Sequence, residues 1–183
     1  SLPTPFIHLC NKLFVIQFNS DDGIKTLLVS PSDWENQRET PFFAQLDQSA
    51  GVLSKPMEKI IFKFPNTVLG VLAKLGLKPK DIDYITYDHL HTQNVTRWLG
   101  GQGQAAIFPN AKLLVMREEW ESSLSLLPWQ NQWYCPNGIN GIDESRVELL
   151  DDSVFLGDGS VALMRTKGHT EGNHSIVAHT DQG

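Results

Sequence analysis

The stretch from residue 83 to residue 94 reads Asp83-Tyr84-Ile85-Thr86-Tyr87-Asp88-His89-Leu90-His91-Thr92-Gln93-Asn94. It begins as an alternating apolar run, which is the period of a β-strand. Side chains two residues apart in an extended segment point the same way, so His89 and His91 direct two imidazoles toward one point while Leu90 faces the opposite side. Two converging imidazoles make up half of a metal site.

The composition indicates an ordinary globular protein. The chain has 183 residues, of which 40% are hydrophobic and 20% are charged, and this length predicts a single domain over residues 1–183. The net charge is -6 and the sequence contains no basic block, so we expect no nucleic-acid partner. No apolar run approaches the roughly 18 residues that span a bilayer, so we expect no membrane partner.

The cysteines and the start of the chain bear on the compartment. Cys10 and Cys135 lie far apart in sequence, which favours two independent thiols and leaves a disulfide open. No basic segment followed by an apolar core is present at the start, so no signal peptide is expected. Both observations favour a cytoplasmic location.

The hydrophobic pattern predicts a sheet-rich α/β protein with its helices outside. Turn residues at 19–23 and at 157–159 predict two hairpins. A helix is expected over residues 68–75, capped by Asn66 and ended by Gly76, another over 95–99 capped by Asn94, and a third opening at Glu118. Predicted strands cover residues 6–10, 13–18, 24–30, 59–64, 82–87, 112–116, 146–149, 153–156, 160–164 and 175–179.

Two irregular segments allow more than one interpretation. Residues 33–65, which several prolines interrupt, either cover a cleft or form a surface excursion, and the excursion is favoured. Residues 128–141 carry Trp129, Trp133 and Tyr134. These rings either line a pocket or fix the loop against the core, and the second role is favoured.

A third histidine completes a candidate metal site. His169 follows a predicted strand and lies in Gly168-His169-Thr170-Glu171-Gly172, where glycines allow the tight turn that brings an imidazole inward. Three neutral imidazoles with an open fourth position are a catalytic type of zinc site, and zinc lowers the pKa of bound water to about 7. The other histidines (His8, His174 and His179) are interpreted as structural.

These motifs resemble those of a known family. Residues 86–94 resemble the T-H-x-H-x-D-H strand end of the metallo-β-lactamase superfamily, and residues 167–172 resemble its P-G-H-T-P-G turn. Residues 75–84, 108–112 and 117–120 are similar to the corresponding segments of its lactonase-like members. The resemblance extends over roughly residues 14–179.

The resemblance implies a fold, a cofactor and a chemistry. The family is an αββα sandwich of the α/β (α+β) class, with a metal site at one edge of its two sheets. Most members hydrolyse esters, lactams, lactones, thioesters or phosphodiesters with metal-bound hydroxide, so a small-molecule substrate is implied. Carried over, His89, His91 and His169 match the first metal site, which would hold one zinc or another transition metal ion. Members continue into a second half, which is expected to be short or missing here or to be completed by a partner chain, so a homo-oligomer is left open.

The departures from the family pattern affect the second metal. Gln93 replaces the aspartate that binds it, and Asn94 replaces the adjacent histidine. Neutral amide oxygens are poor zinc ligands, so we expect a mononuclear site. Asp88 stands where a threonine or serine is usual, and Lys167 replaces the turn proline. Asp88, Gln93 and Asn94 are the candidate catalytic residues that would orient the water.

Three functional interpretations remain open at this point. The first is a metal-dependent hydrolase of an ester- or lactone-like substrate. The second is a catalytically inactive member of the fold with a binding or structural role. The third treats the histidines as chance surface residues on an unrelated α/β domain.

Overall fold

The computed structural model describes residues 11–32, 37–49 and 66–183. The strands predicted at 6–10 and 59–64, together with His8 and Cys10, lie outside these residues. Within the described ranges, no helix has the length and apolar character that crossing a membrane requires.

The first described elements form an antiparallel hairpin. Strand β1 (Phe14–Ser20) pairs with strand β2 (Gly23–Val29) along its whole length. Gly23 has φ 117°, a backbone conformation that side chains with a Cβ rarely adopt. The hairpin predicted at residues 19–23 is therefore confirmed.

A five-stranded sheet grows from this hairpin in the order β1-β2-β3-β4-β5. From β2 to β5, each strand runs parallel to the next one in this order. Parallel neighbours require crossover connections, and here these contain the helices. The added strands are β3 (Tyr84–Thr86), β4 (Lys112–Met116) and β5 (Val147–Leu150).

The described helices are α1 (Pro41–Ser49), α2 (Val68–Lys74), α3 (Thr96–Leu99) and α4 (Arg117–Leu124). Helix α1 lies in segment 33–65, for which no helix was predicted, and the other three agree with the predicted helices except at their caps. Helix α2 begins after Thr67, whose hydroxyl accepts a hydrogen bond from the Gly70 amide at 3.0 Å, so the prediction of Asn66 as N-cap is wrong by one residue. Both residue types cap well, and the sequence pattern alone did not separate them.

A second, three-stranded antiparallel sheet packs on the first. It consists of β6 (Val154–Leu156), β7 (Val161–Arg165) and β8 (His174–Ala178), with β7 in the centre. Gly157 and Gly159 have positive φ in the β6–β7 turn, which confirms the predicted hairpin. The Asp158 amide donates to the Asn19 carbonyl at 2.8 Å and thereby ties this turn to β1.

Two apolar clusters hold the layers together. One lies between the sheets and includes Leu27, Met116 and Leu163, and the other lies under the helices and includes Leu72 and Ile85. The layers are thus helices, five-stranded sheet and three-stranded sheet. The chain segments that leave β3 and β7 meet at one edge of this sandwich, because the His174 amide of β8 donates to the Asp88 carbonyl at 3.0 Å.

Candidate metal centre

The residues flanking His89 and His91 are anchored in the core. The Thr86 hydroxyl donates to the Leu114 carbonyl at 2.8 Å, and the Tyr87 hydroxyl donates to the Pro31 carbonyl at 2.9 Å. Leu90 is only 2% exposed, which agrees with its predicted inward direction. The segment therefore leaves the sheet on a fixed path and presents both imidazoles on its other side.

The backbone turns sharply just after His91. Thr92 has φ 63°, which a β-branched residue adopts only where the surrounding structure imposes it. Its amide donates to the Trp133 carbonyl at 2.7 Å. This bond fixes the turn that ends the two-histidine segment.

The loop that carries His169 is joined directly to the first loop. The Asn173 side-chain amide donates to the Asp88 carbonyl at 3.0 Å, as does the His174 amide. His174 itself is buried at 1% exposure, which is consistent with its predicted structural role. Segments about eighty residues apart in sequence are thereby placed side by side.

The three histidines predicted as ligands come together. One potential ligand atom from each of His89, His91 and His169 lies within 4.8 Å of the others. Among the described residues, this is the only group of three or more side chains placed so that they could hold a metal ion. His91 Nδ1 and His169 Nε2 are 3.2 Å apart. Two ligands of a tetrahedral zinc, with bonds of 2.0–2.1 Å, lie about 3.3 Å apart. The spacing of this pair of nitrogens therefore fits two ligands of a single zinc ion.

The protonation of His91 also suits a metal. Burial and the neighbouring His89 and His169 lower the pKa of His91 to about 4, so its imidazole is neutral at neutral pH, as ligation requires. His89 Nδ1 lies 2.9 Å from Asp88 Oδ2, although their geometry is not that of an aligned hydrogen bond. Burial works to raise the pKa of Asp88, but the contact with His89 outweighs it and lowers that pKa. Asp88 is therefore an ionised partner behind His89, which leaves His89 Nε2 for a metal.

Gln93 lies beside the histidines but its amide oxygen has other partners. Oε1 accepts a hydrogen bond from the Ser32 hydroxyl at 2.9 Å and one from the Gln37 side chain at 3.4 Å. Gln37 is buried. The predicted absence of a ligand at position 93 thus coincides with a hydrogen-bonded cluster of neutral side chains.

Asn94 is used to begin helix α3. Its Oδ1 accepts from the Thr96 hydroxyl at 2.6 Å and from the Arg97 amide at 3.3 Å. The N-cap of α3 is Val95 rather than the predicted Asn94, and Asn94 contributes from one residue earlier by accepting from the first turn. Whether Asp88, Gln93 or Asn94 orients a water molecule stays a prediction.

A cavity of about 910 Å³ opens beside the three histidines. Its wall includes Leu127, Trp129 and Trp133, and Lys167 and Gln93 also line it. Trp129 is 65% exposed. The pocket interpretation of the aromatic segment, which the sequence did not favour, therefore holds for Trp129.

The fixing interpretation holds for the neighbouring rings. Trp133 packs against Phe42 of α1 with ring centroids 4.6 Å apart. Tyr134 is buried and its ring stands edge-on to His91 at 4.8 Å. The segment thus fixes itself against the core and contributes to the cavity wall at the same time.

One contact of this site had no counterpart in the sequence analysis. The sequence places Glu119 in the first turn of a predicted helix and in the segment 117–120 of the family resemblance, and it predicts no role for this residue in the site. Glu119 is buried at 1% exposure, and its carboxylate reaches the loops of all three histidines. No local pattern signals this burial, since it results from the pairing of α4 with two distant loops.

Comparison with known proteins gives sequence relatives and fold relatives. No protein-family model matches the chain. Over 115 residues it is 28% identical to the N-acyl homoserine lactonase of Bacillus thuringiensis, a match that covers 63% of this chain and 40% of that protein.

Solved structures match over more of the chain. A probable metal-dependent hydrolase from Staphylococcus aureus aligns with a TM-score of 0.59 and 19% identity, covering 86% of this chain and 50% of that one. AidC, a dizinc quorum-quenching lactonase, aligns with a TM-score of 0.55 and 15% identity, covering 91% of this chain and 52% of that one. The chain spans about half the length of these relatives, or less.

These likenesses confirm the expected fold class. The two sheets with helices outside correspond to the metallo-β-lactamase sandwich over most of this chain. The chain therefore has the metallo-β-lactamase fold over most of its length, and its sequence is similar to that of N-acyl homoserine lactonases.

Proposed function

We propose that this chain forms the metal-binding part of a hydrolase that acts on a small ester- or lactone-like substrate. The observation that carries the proposal is the cluster of His89, His91 and His169, whose ligand atoms lie within 4.8 Å of one another. The cluster borders a cavity large enough for a small molecule. The name of the Bacillus thuringiensis relative supports lactones as the first class to test.

We propose one zinc ion at this site. Three imidazoles with an open position are characteristic of catalytic zinc. The amide oxygens of Gln93 and Asn94, which stand where the family holds a second metal, are engaged within the fold. When bound, zinc would polarise a substrate carbonyl and lower the pKa of coordinated water to about 7.

The residues around the cluster have separate tasks in this proposal. Asp88 orients His89 through its Nδ1 contact. Leu127, Trp129 and Trp133 bind the apolar part of a substrate and keep water away from the reacting bond. Gln93 lines the same cavity and is a candidate for orienting a water molecule. A cytoplasmic location and assembly into a homo-oligomer stay predictions.

Hydrolysis assays with a matched variant test the proposal. Zinc-loaded protein should open at least one lactone or cleave at least one ester in a panel of acyl lactones and nitrophenyl esters. His91→Ala should abolish this turnover while its circular dichroism spectrum stays that of the wild type. Equal rates for the two proteins would contradict the proposal.

A second candidate is an inactive member that binds its ligand without turnover. It is favoured by one observation, namely that the side-chain oxygens of Gln93 and Asn94 are occupied by structural hydrogen bonds. Calorimetry with the same lactones separates the two candidates. Binding without any product would support the inactive member, and zinc-dependent product formation would reject it.

A further inference from the structure

Glu119 is a buried carboxylate at the centre of the contacts between α4 and the site. Its side chain is 1% exposed, although Glu119 is the third residue of a helix whose polar face meets solvent at Glu121. Burying an ionised carboxylate is costly unless hydrogen bonds satisfy it. The hydrogen-bond partners of its two carboxylate oxygens therefore indicate what Glu119 contributes at this buried position.

Both oxygens bind the segments that carry the histidines. Oε1 accepts a hydrogen bond from the Leu90 amide at 2.8 Å, and Oε2 accepts one from the Thr170 hydroxyl. Leu90 lies between His89 and His91, and Thr170 directly follows His169. One side chain thus joins the backbone of the first loop to the second loop.

Close packing of the helix against the second loop reinforces this connection. A Cβ added at Gly172 would lie 2.2 Å from the Glu119 nitrogen and 2.4 Å from its Cβ. Only glycine allows the loop to approach α4 so closely. In addition, Lys167 Nζ lies 3.0 Å from Glu118 Oε1. Both ends of the His169 loop are therefore held on the first turn of α4.

The two loops come from different sheets, so nothing in the hydrogen bonding of either sheet alone sets the distance between their histidines. The first loop follows β3 of the five-stranded sheet, and the second follows β7 of the three-stranded sheet. Hydrogen bonds to an ionised acceptor are about twice as strong as neutral ones. The Glu119 carboxylate is consequently well suited to fix this distance.

We propose that Glu119 is a positioning residue that holds the two ligand-bearing loops at the separation needed to bind one metal ion. The inference rests on the proposed three-histidine metal site. Glu119 does not contact the metal in this proposal and acts only through Leu90 and Thr170. Its removal should loosen the ligand geometry and leave the ligands themselves unchanged.

Zinc competition against a chromogenic chelator tests this, with the dissociation constant measured for the folded protein. Glu119→Ala should weaken zinc binding by about tenfold or more, the usual effect of losing an outer contact that orients ligands. Glu119→Gln retains an oxygen for the Leu90 amide and an NH₂ group for the Thr170 hydroxyl, so it should restore most of the affinity. Glu121→Ala, an exposed glutamate on the same helix, should bind zinc as the wild type does.

Two further variants separate positioning from a general loss of stability. Val68→Ala removes a buried side chain in α2, away from the site, and should lower the unfolding temperature without changing zinc affinity. Thr170→Val breaks only one of the two Glu119 contacts and should give an intermediate loss of affinity, even if Glu119→Ala does not fold. The visible spectrum of bound Co²⁺ should shift in the Glu119→Ala and Thr170→Val variants only.

The outcomes distinguish this inference from the proposed function. A wild-type protein that binds no zinc would overturn both. A wild-type protein that binds zinc together with Glu119→Ala and Thr170→Val variants of unchanged affinity would overturn the positioning role alone. Equal weakening by Glu119→Ala and Val68→Ala would likewise reduce Glu119 to a purely structural residue.

Discussion

Residues 88–91 and residues 93–94 are two parts of one loop with different roles. The first part carries candidate metal ligands, and the second part makes structural hydrogen bonds. In the first part, side-chain nitrogens converge on His169, and Asp88 stands behind His89. In the second part, the amide oxygens are directed into the protein, where Gln93 meets Ser32 and Asn94 accepts from the first turn of α3. Positions 93 and 94, where the family pattern predicts metal ligands, thus make structural hydrogen bonds while the neighbouring histidines converge on one point.

Replacing a ligand in the first part should have the largest effect. His91→Ala removes one of three nitrogens, and we expect zinc affinity to fall more than about 100-fold, since even outer contacts are worth 10–100-fold. Chelator competition measures this, with the exposed His179→Ala as control. If zinc affinity falls no more in His91→Ala than in His179→Ala, the proposed distinction between the two parts of the loop is wrong.

His174 is a buried histidine whose amide binds Asp88 in the first part of the loop, and it should make the metal-free protein sensitive to acid. Burial lowers the pKa of His174 to about 4. The Thr86 hydroxyl donates to Leu114, so it accepts from His174 Nε2–H, and Nδ1 is the nitrogen that would have to take up the proton. The unfolded state binds this proton at a pKa near 6.5, so the stability contribution is complete above pH 6.5 and is lost as the pH falls toward 4, by up to about 3 kcal/mol.

Denaturant unfolding between pH 7.5 and pH 4.5 in the presence of a chelator measures this effect. His174→Gln cannot take up the proton, so its free energy of unfolding should fall less steeply with acid than that of the wild type. Parallel curves for the two proteins would show that His174 is not buried in its neutral form.

The carboxylate behind His89 should have an intermediate effect. Asp88→Asn retains the size of the side chain and removes its charge, and zinc affinity should fall by about 10–100-fold. Asp152→Asn, at an exposed position, is the matched control in the same competition assay. Unchanged affinity in Asp88→Asn would mean that residue 88 belongs with the structural part of the loop.

The smallest effect is expected in the second part. Asn94→Ala removes the side-chain acceptor in front of α3, which should lower the free energy of unfolding by about 1 kcal/mol. Zinc affinity should remain that of the wild type, because Asn94 Oδ1 is directed at Thr96 and Arg97. An affinity loss comparable to that of Asp88→Asn would contradict the division of the loop into two parts.

The sequence predicted the parts of the site that depend on local spacing. His89 and His91 two residues apart, and the glycine-flanked His169, are patterns of a few residues, and the structure brings them together. The cap of α2 was misplaced because Asn66 and Thr67 are both good caps and only the backbone geometry decides between them. Glu119 could not be found in this way, since its burial depends on contacts with Leu90 and Thr170, which lie 29 and 51 residues away.

Metal stoichiometry tests the central claim most directly. After removal of metal with a chelator and reconstitution with excess zinc, followed by removal of unbound ion, elemental analysis should give one equivalent of zinc per chain. One equivalent is the occupancy that a mononuclear three-histidine site predicts. Less than a tenth of an equivalent, or two equivalents, would contradict it.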